Sequence, residues 1–337
     1  MRTLVYATLF AAAIVPPVQA QNVIETPKAT IEIVGLKRWT IQMIDDSLAK
    51  YSPKDKLTAH ACAAVLRDKL HFADASVGWY TNITQTQTKP YVAVTVVEPQ
   101  DSALIHYRPA FSDSLPTRAE WAAAYAAFRA ENQLAQTAIQ TPSFYAREMS
   151  SQDSARFDKV RALHEVIVSH RASLDFETAR RTLDSDGNAA NRAMALLVLS
   201  NFAERDSAWW AVSDALRDPT SGMVNATASQ VLRLMAARGA RPVDWAPVAE
   251  RLRFVIDGTN LFAFDELLRT LTATSVSPTL GPALLANGGA ILRAKLHSGD
   301  VAAKDAARAF LVRLSGLLPT SETSVLDAWL DRTAGTR

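Results

Sequence analysis

KPYVAVTVVEPQD, residues 89–101, alternates apolar and polar side chains as a strand does and stops at Pro99. It stands near the front of a chain whose later part carries mostly helical spacing. Reading backwards from it, ASVGWYTNI (75–83) is a second strand, joined to the first by the polar loop TQTQTK (84–89). Further upstream, ATIEIVG (29–35) alternates through Ile31 and Ile33 and ends on Gly35, a third strand and its turn. Between the strands, TIQMIDDSLAKY (40–51) places Ile41, Ile44 and Leu48 at helical intervals behind a Thr40 cap. DKLTAHACAAVLRDKLHF (55–72) is a second helix, with Thr58 as its cap. The order is β-α-α-β-β, which predicts a three-stranded sheet covered by two helices over residues 29–100, behind a tail at 21–28.

The opening IEIVGL (31–36), the helix-to-strand passage LHFADASV (70–77) and the closing VAVTVVEP (92–99) resemble a POTRA-type domain. Such modules belong to outer-membrane assembly and secretion proteins. The resemblance implies a periplasmic setting and binding by strand addition to an exposed sheet edge.

Residues 101–154 read as a connection. LPTRAEWAAAYAAFRAENQLAQ (115–136) is a helix with Trp121, Tyr125, Phe128 and Leu134 on its apolar stripe. Thr137–Ser154, polar and broken by Pro142, is the expected linker. From 155 to 337 the chain is all-α, so the protein is mainly α overall. Four segments align there: DGNAANRAMALLVL from Asp186, DPTSGMVNATASQVLRLM from Asp218, DGTNLFAFDELLRTL from Asp257 and DVAAKDAARAFLVRL from Asp300. Each sets an Asp at a turn, a short polar gap and then an apolar helix, at spacings of 32, 39 and 43 residues. Helix pairs repeated at this length resemble HEAT repeats. The pattern of Asp, Arg six residues on, then small residues is met by Asp186, Arg192, Ala193 and Ala195. One helix pair cannot bury its apolar face alone, so stacked pairs forming a solenoid are the expectation.

Charge and leader narrow the setting. The 337 residues carry a net charge of +2 with no Lys/Arg block, so nothing in the sequence points to a nucleic-acid partner. MRTLVYATLFAAAIVPPVQA (1–20) has Arg2, an uncharged run from Leu4 to Val15 and a small-residue boundary at Ala20. This is the form of a cleaved signal peptide, too short in its apolar run to span a bilayer. The mature chain is expected to start at Gln21 and to have no transmembrane segment. Its location is then periplasmic or secreted.

Several motifs resolve to plain structure. The lone Cys62 can form no internal disulfide and reads as a small buried hydrophobe. DSDGN (184–188) starts like a calcium loop, but Ala189 and Ala195 stand where Gly and Glu are required. It reads as a turn capped by Asn188 or Asp186. His164 and His170 are six apart, about 240° around a helix, so they do not form a metal pair. No catalytic motif, metal set or cofactor loop stands out. In SAWWAVSDALRD (207–218), Trp209, Val212 and Leu216 share the core stripe, while Trp210 lies about 100° off it. In NLFAFDELLRTL (260–271), Leu261, Phe264, Leu268 and Leu271 form the stripe and Phe262 lies off it. Trp210 and Phe262 are therefore the candidate partner-binding residues. The expectation is a non-enzymatic interaction or scaffold protein with an envelope or outer-membrane protein as partner. The rival is a hydrolase with its site between the two parts.

Overall fold

The computed structural model describes residues 22–27, 29–51, 57, 62–81, 90–111, 121, 126, 169–220 and 222–334. Its first part is a sheet of four strands: β1 (Asn22–Glu25), β2 (Thr30–Val34), β3 (Asp74–Thr81) and β4 (Pro90–Val97), in the order β1-β2-β4-β3. Helices α1 (Ile41–Tyr51) and α2 (Cys62–Asp68) connect β2 to β3. β2 runs parallel to β4, while β1 and β3 are antiparallel to their neighbours. The expected three-stranded sheet is thus corrected to four, because β1 occupies the span expected as a tail. The added strand is held by a tight turn in which the Thr26 hydroxyl donates to the Ala29 carbonyl at 2.7 Å and accepts from the Ala29 amide at 2.9 Å. Four residues are too few to show a period, which is why the pattern gave no sign of it.

β4 lies inside the sheet and is buried on both faces. Val92, Val94 and Val96 join Ile31, Ile33, Ile44, Leu48, Cys62 and Leu66 in one core beneath α1 and α2. Alternate residues point the other way: Tyr91, Ala93, Thr95 and Val97 are also buried, and Val97 belongs to the core of the helical part. The opening stretch therefore alternates between two interiors. At its end the fully buried Glu98 turns its Oε1 onto three successive amides, Lys37, Arg38 and Trp39, at 2.7, 2.8 and 2.9 Å. That nest holds the loop between β2 and α1. Gly35 begins the loop at φ +98°, where a Cβ would sit 2.2 Å from the Val96 carbonyl oxygen, so no other residue fits without a shift. Thr40 caps α1 as expected, accepting from the Met43 amide at 3.2 Å.

The remainder is helical: α3 (Ser173–Ser185), α4 (Ala189–Leu199), α5 (Asp206–Asp214), α6 (Val224–Gly239), α7 (Ala249–Ile256), α8 (Phe264–Ala273), α9 (Gly281–Leu284), α10 (Ala290–Leu296), α11 (Val301–Ser315) and α12 (Thr323–Ala334). The helices following the four aligned aspartates are α4, α6, α8 and α11, and each packs on the next. Leu196, Val231, Leu268 and Phe310 are among the buried residues that they share.

All four aspartates are buried, which explains why the repeat is visible. Asp186, Asp218 and Asp300 each accept the amide two residues on, from Asn188, Thr220 and Ala302, at 2.8, 2.8 and 3.0 Å. Asn188 is the cap of α4, with Asp186 bracing the turn behind it. Asp257 departs from the pattern: it ends α7 and accepts from Asn287 Nδ2 at 2.5 Å. Arg192, buried with Asp218, forks onto that carboxylate at 2.9 and 3.0 Å and also donates to the Asp186 carbonyl at 2.7 Å. One guanidinium thereby ties the first turn to the second. Asn225, where the second segment has no Arg, instead accepts from the Gly222 amide at 3.1 Å.

Candidate functional site

The seam between sheet and helices is where the two parts meet, and charged groups hold it. Glu32 sits in mid-strand on the face away from α1 and α2. Its carboxylate accepts the Tyr91 hydroxyl at 2.5 Å, the Ser298 hydroxyl at 2.5 Å and the Gly299 amide at 3.1 Å. Burial, and then the bond to Glu32, push the Tyr91 hydroxyl well above its ordinary value, so Tyr91 stays a donor. At the other end, Asp74 accepts the Leu261 amide at 2.9 Å through Oδ2 and its neighbour's amide, Ala75, at 2.8 Å through Oδ1. Burial raises the Asp74 carboxyl above the usual aspartate value, with both amides and Arg67 opposing. The segment after β4 then runs across the helices. The His106 amide donates to Thr259 Oγ1 at 2.9 Å, and the Arg108 amide to the Arg217 carbonyl at 2.7 Å.

Between these anchors the packing is incomplete. Ser76, Gly78, Ala93 and Thr95 are small, and a cavity of about 120 Å³ remains between them and Leu261, Phe262, Asp265 and Lys295. Lys295, 4% exposed, projects from α10 and reaches Asp265 Oδ2 at 3.3 Å. Ser76 and Thr95 are directly opposite each other across β3 and β4. The cavity is lined by a cation, a carboxylate and two hydroxyls, with Leu261 and Phe262 as apolar groups, and among the described residues its lining includes neither His nor Cys.

The two residues singled out from the sequence occupy different places. Phe262 is 67% exposed and borders this cavity. Trp210 is half-buried against the helical core, and its indole donates to the Asp244 carbonyl at 2.7 Å, tying α5 to the segment before α7. Trp209 is fully buried, as its stripe predicts. Cys62 is buried with its thiol 3.7 Å from the Leu57 carbonyl. His170 lies 3.4 Å from Asp175 and edge-on to the buried Trp121, while His164, Tyr125, Phe128, Leu134, Thr58 and the Thr137–Ser154 stretch fall outside the described residues. Among the described residues no group of His, Cys, Asp or Glu is arranged to hold a metal, and no helix is long and apolar enough to cross a membrane.

Sequence reasoning missed Glu32, Asp74, Asp265 and Lys295. One of them carried a signal. Lys295 shares an apolar stripe with Ile291 and Leu292, whereas Glu32 falls on the polar phase of the ATIEIVG alternation. A charge on a core stripe marks a buried partner, and here the partners come from segments far away in sequence. No protein-family model matches the chain, and no curated protein matches its sequence.

Proposed function

We propose that the chain is an exported, non-enzymatic scaffold that binds a protein of the cell envelope, built as a POTRA-like module seated on HEAT-like helix pairs. The observation that carries the reading is the outer strand β3. Among the described residues it is paired on one side only, with β4, and it carries the 45% exposed Trp79. An extended segment of the partner adds to that edge as a fifth strand. Phe262, close to the same strand and mostly exposed, supplies an apolar contact beside it.

Other features support this reading. The buried charges described above serve as braces: Glu98 for a loop, Glu32 and Asp74 for the seam, Arg192 and Asp218 for neighbouring helix pairs. The successive packing of α4, α6, α8 and α11 fits stacked repeats. Cleavage before Gln21 would remove no described element, since β1 starts at Asn22. The rival hydrolase would need a base hydrogen-bonded to Ser76, and among the described residues the Ser76 hydroxyl has no such partner, Lys295 being turned to Asp265.

The test combines export with contact. N-terminal sequencing of the protein from a periplasmic fraction should begin at Gln21. A photo-crosslinking residue at Thr81, on β3, should trap one envelope protein, whereas the same residue at Leu318, 70% exposed on the helical part, should not. An intact Met1 in a cytosolic fraction sinks the export reading. Equal trapping from both positions sinks the edge.

A further inference from the structure

The seam cavity has a surplus of hydrogen-bond donors. An ammonium carries three N–H donors and no acceptor. Lys295 spends one on Asp265 at the long distance of 3.3 Å, and its other two have no described protein partner. Across the cavity the paired hydroxyls of Ser76 and Thr95 likewise bond to no described residue. A buried cation so thinly compensated is costly; Asp265, with its side chain 18% exposed and its Oδ1 buried without a described hydrogen-bond partner, keeps its bond to the ammonium, so a second anion shares the cation with it. Leu261 and the mostly exposed Phe262, four and three residues before Asp265, add apolar lining.

We propose that this cavity binds a small monocarboxylate. The carboxylate accepts from the Lys295 ammonium and from the Ser76 and Thr95 hydroxyls. A short alkyl tail lies toward Leu261, and Phe262 closes over it. The 120 Å³ equals about four waters at about 30 Å³ each, so an acid of about four to six non-hydrogen atoms fits and a longer one does not. The proposal shares Phe262 with strand addition at β3 but otherwise uses the inner face of the strand rather than its outer edge.

Propionate is the probe, with propionamide as its neutral isostere and octanoate as the overlong control, titrated into the full chain by calorimetry. Propionate is expected to bind with a dissociation constant at or below about 5 mM, within the efficiency ceiling of so small a ligand. Propionamide and octanoate are expected to bind at least about tenfold more weakly, a difference of about 1.4 kcal/mol. Lys295→Met should abolish binding. Because that change leaves Asp265 alone, Thr95→Val provides the second arm: it keeps the volume, keeps the ion pair and should weaken propionate several-fold, with the circular dichroism spectrum unchanged. Propionate showing no heat up to about 20 mM overturns the proposal. So does propionamide matching propionate, or a folded Thr95→Val protein that binds as tightly as the parent.

Discussion

Replacing Arg192 by Met should cost far more than the loss of a surface ion pair, and the structure says how much. Arg192 and Asp218 have side-chain exposures of 3% and 0%. Their fork uses Nε and Nη2 against both carboxylate oxygens, at 2.9 and 3.0 Å. Removing the guanidinium leaves the Asp218 carboxylate buried with one remaining donor, the Thr220 amide. It also strips a donor from the Asp186 carbonyl. Breaking one side of such a pair costs about 3–5 kcal/mol, against a total of about 5–15 kcal/mol for an ordinary domain. Asp218→Leu should cost a similar amount, because it strands the cation. The double variant Arg192→Met/Asp218→Leu should lose only about 1–3 kcal/mol, since neither charge is left alone. The assay is urea unfolding of the parent, both single variants and the double, read at constant slope. The expected coupling is then several kcal/mol. As a control, Glu204→Ala breaks the exposed pair with Arg205, at 3.6 Å, and should change stability by less than about 0.5 kcal/mol. If the two single losses sum to the double within about 0.5 kcal/mol, the pair is not a coupled brace and the reasoning fails.

The other predictions concern the loop nest, the tryptophans and pH. Glu98→Ala removes three amide contacts from a loop with partial access to water, and should cost about 2–4 kcal/mol. Glu98→Gln keeps one acceptor and should cost about half of that; equal losses in denaturant unfolding would count against the nest. Trp209→Ala should destabilise by about 3–5 kcal/mol, whereas Trp210→Phe, which gives up one indole bond to Asp244, should lose about 1 kcal/mol; matched losses would mean that Trp210 is core. Burial raises the carboxyls of both Asp74 and Asp257 above the ordinary aspartate value near 3.8. Their folded forms thus hold the proton more tightly than their unfolded forms, so this contribution is complete below that value and is lost as pH rises through the folded values. Asp257→Asn, which keeps an acceptor for Asn287, should therefore raise the melting temperature at pH 7 relative to the parent, with the gap narrowing toward pH 4. A gap that widens on acidification would reverse the assignment.

The helical half was legible because its signals are local. An aspartate that braces its own turn must sit two residues before the amide it accepts, so burial and hydrogen bonding write a pattern into neighbouring positions. Asp186, Asp218 and Asp300 show it; Asp257 shares the letter but not the bond, since its partner Asn287 comes from elsewhere. Leu261, Phe264, Leu268 and Leu271 were placed inside by spacing alone, and all are buried. The seam was illegible for the converse reason. Glu32 meets Ser298, and Asp74 meets Leu261, across most of the chain, and no period connects such positions. β4 was readable as a strand but not as a strand buried twice, because Ala93 and Thr95 look like the solvent side of an alternation until the helices cover them.

That second burial changes what separating the two parts should do. A sheet module cut away from the helices would expose Val34 and Val97, each worth about 1.5–3 kcal/mol when buried, and would leave the Glu32 carboxylate without its Ser298 and Gly299 donors. A module this small draws only about 3–5 kcal/mol from its own core, so losing the seam should remove a comparable amount. Sequence alone suggested two parts joined by a linker at Thr137–Ser154, and nicking there with a protease is the direct trial. The two fragments should remain together on native size exclusion and separate only in denaturant, and Glu32→Ala should lower the urea concentration at which they part. Fragments that elute apart without denaturant, each with its parent circular dichroism, would show that the sheet stands alone and that the seam is merely a contact.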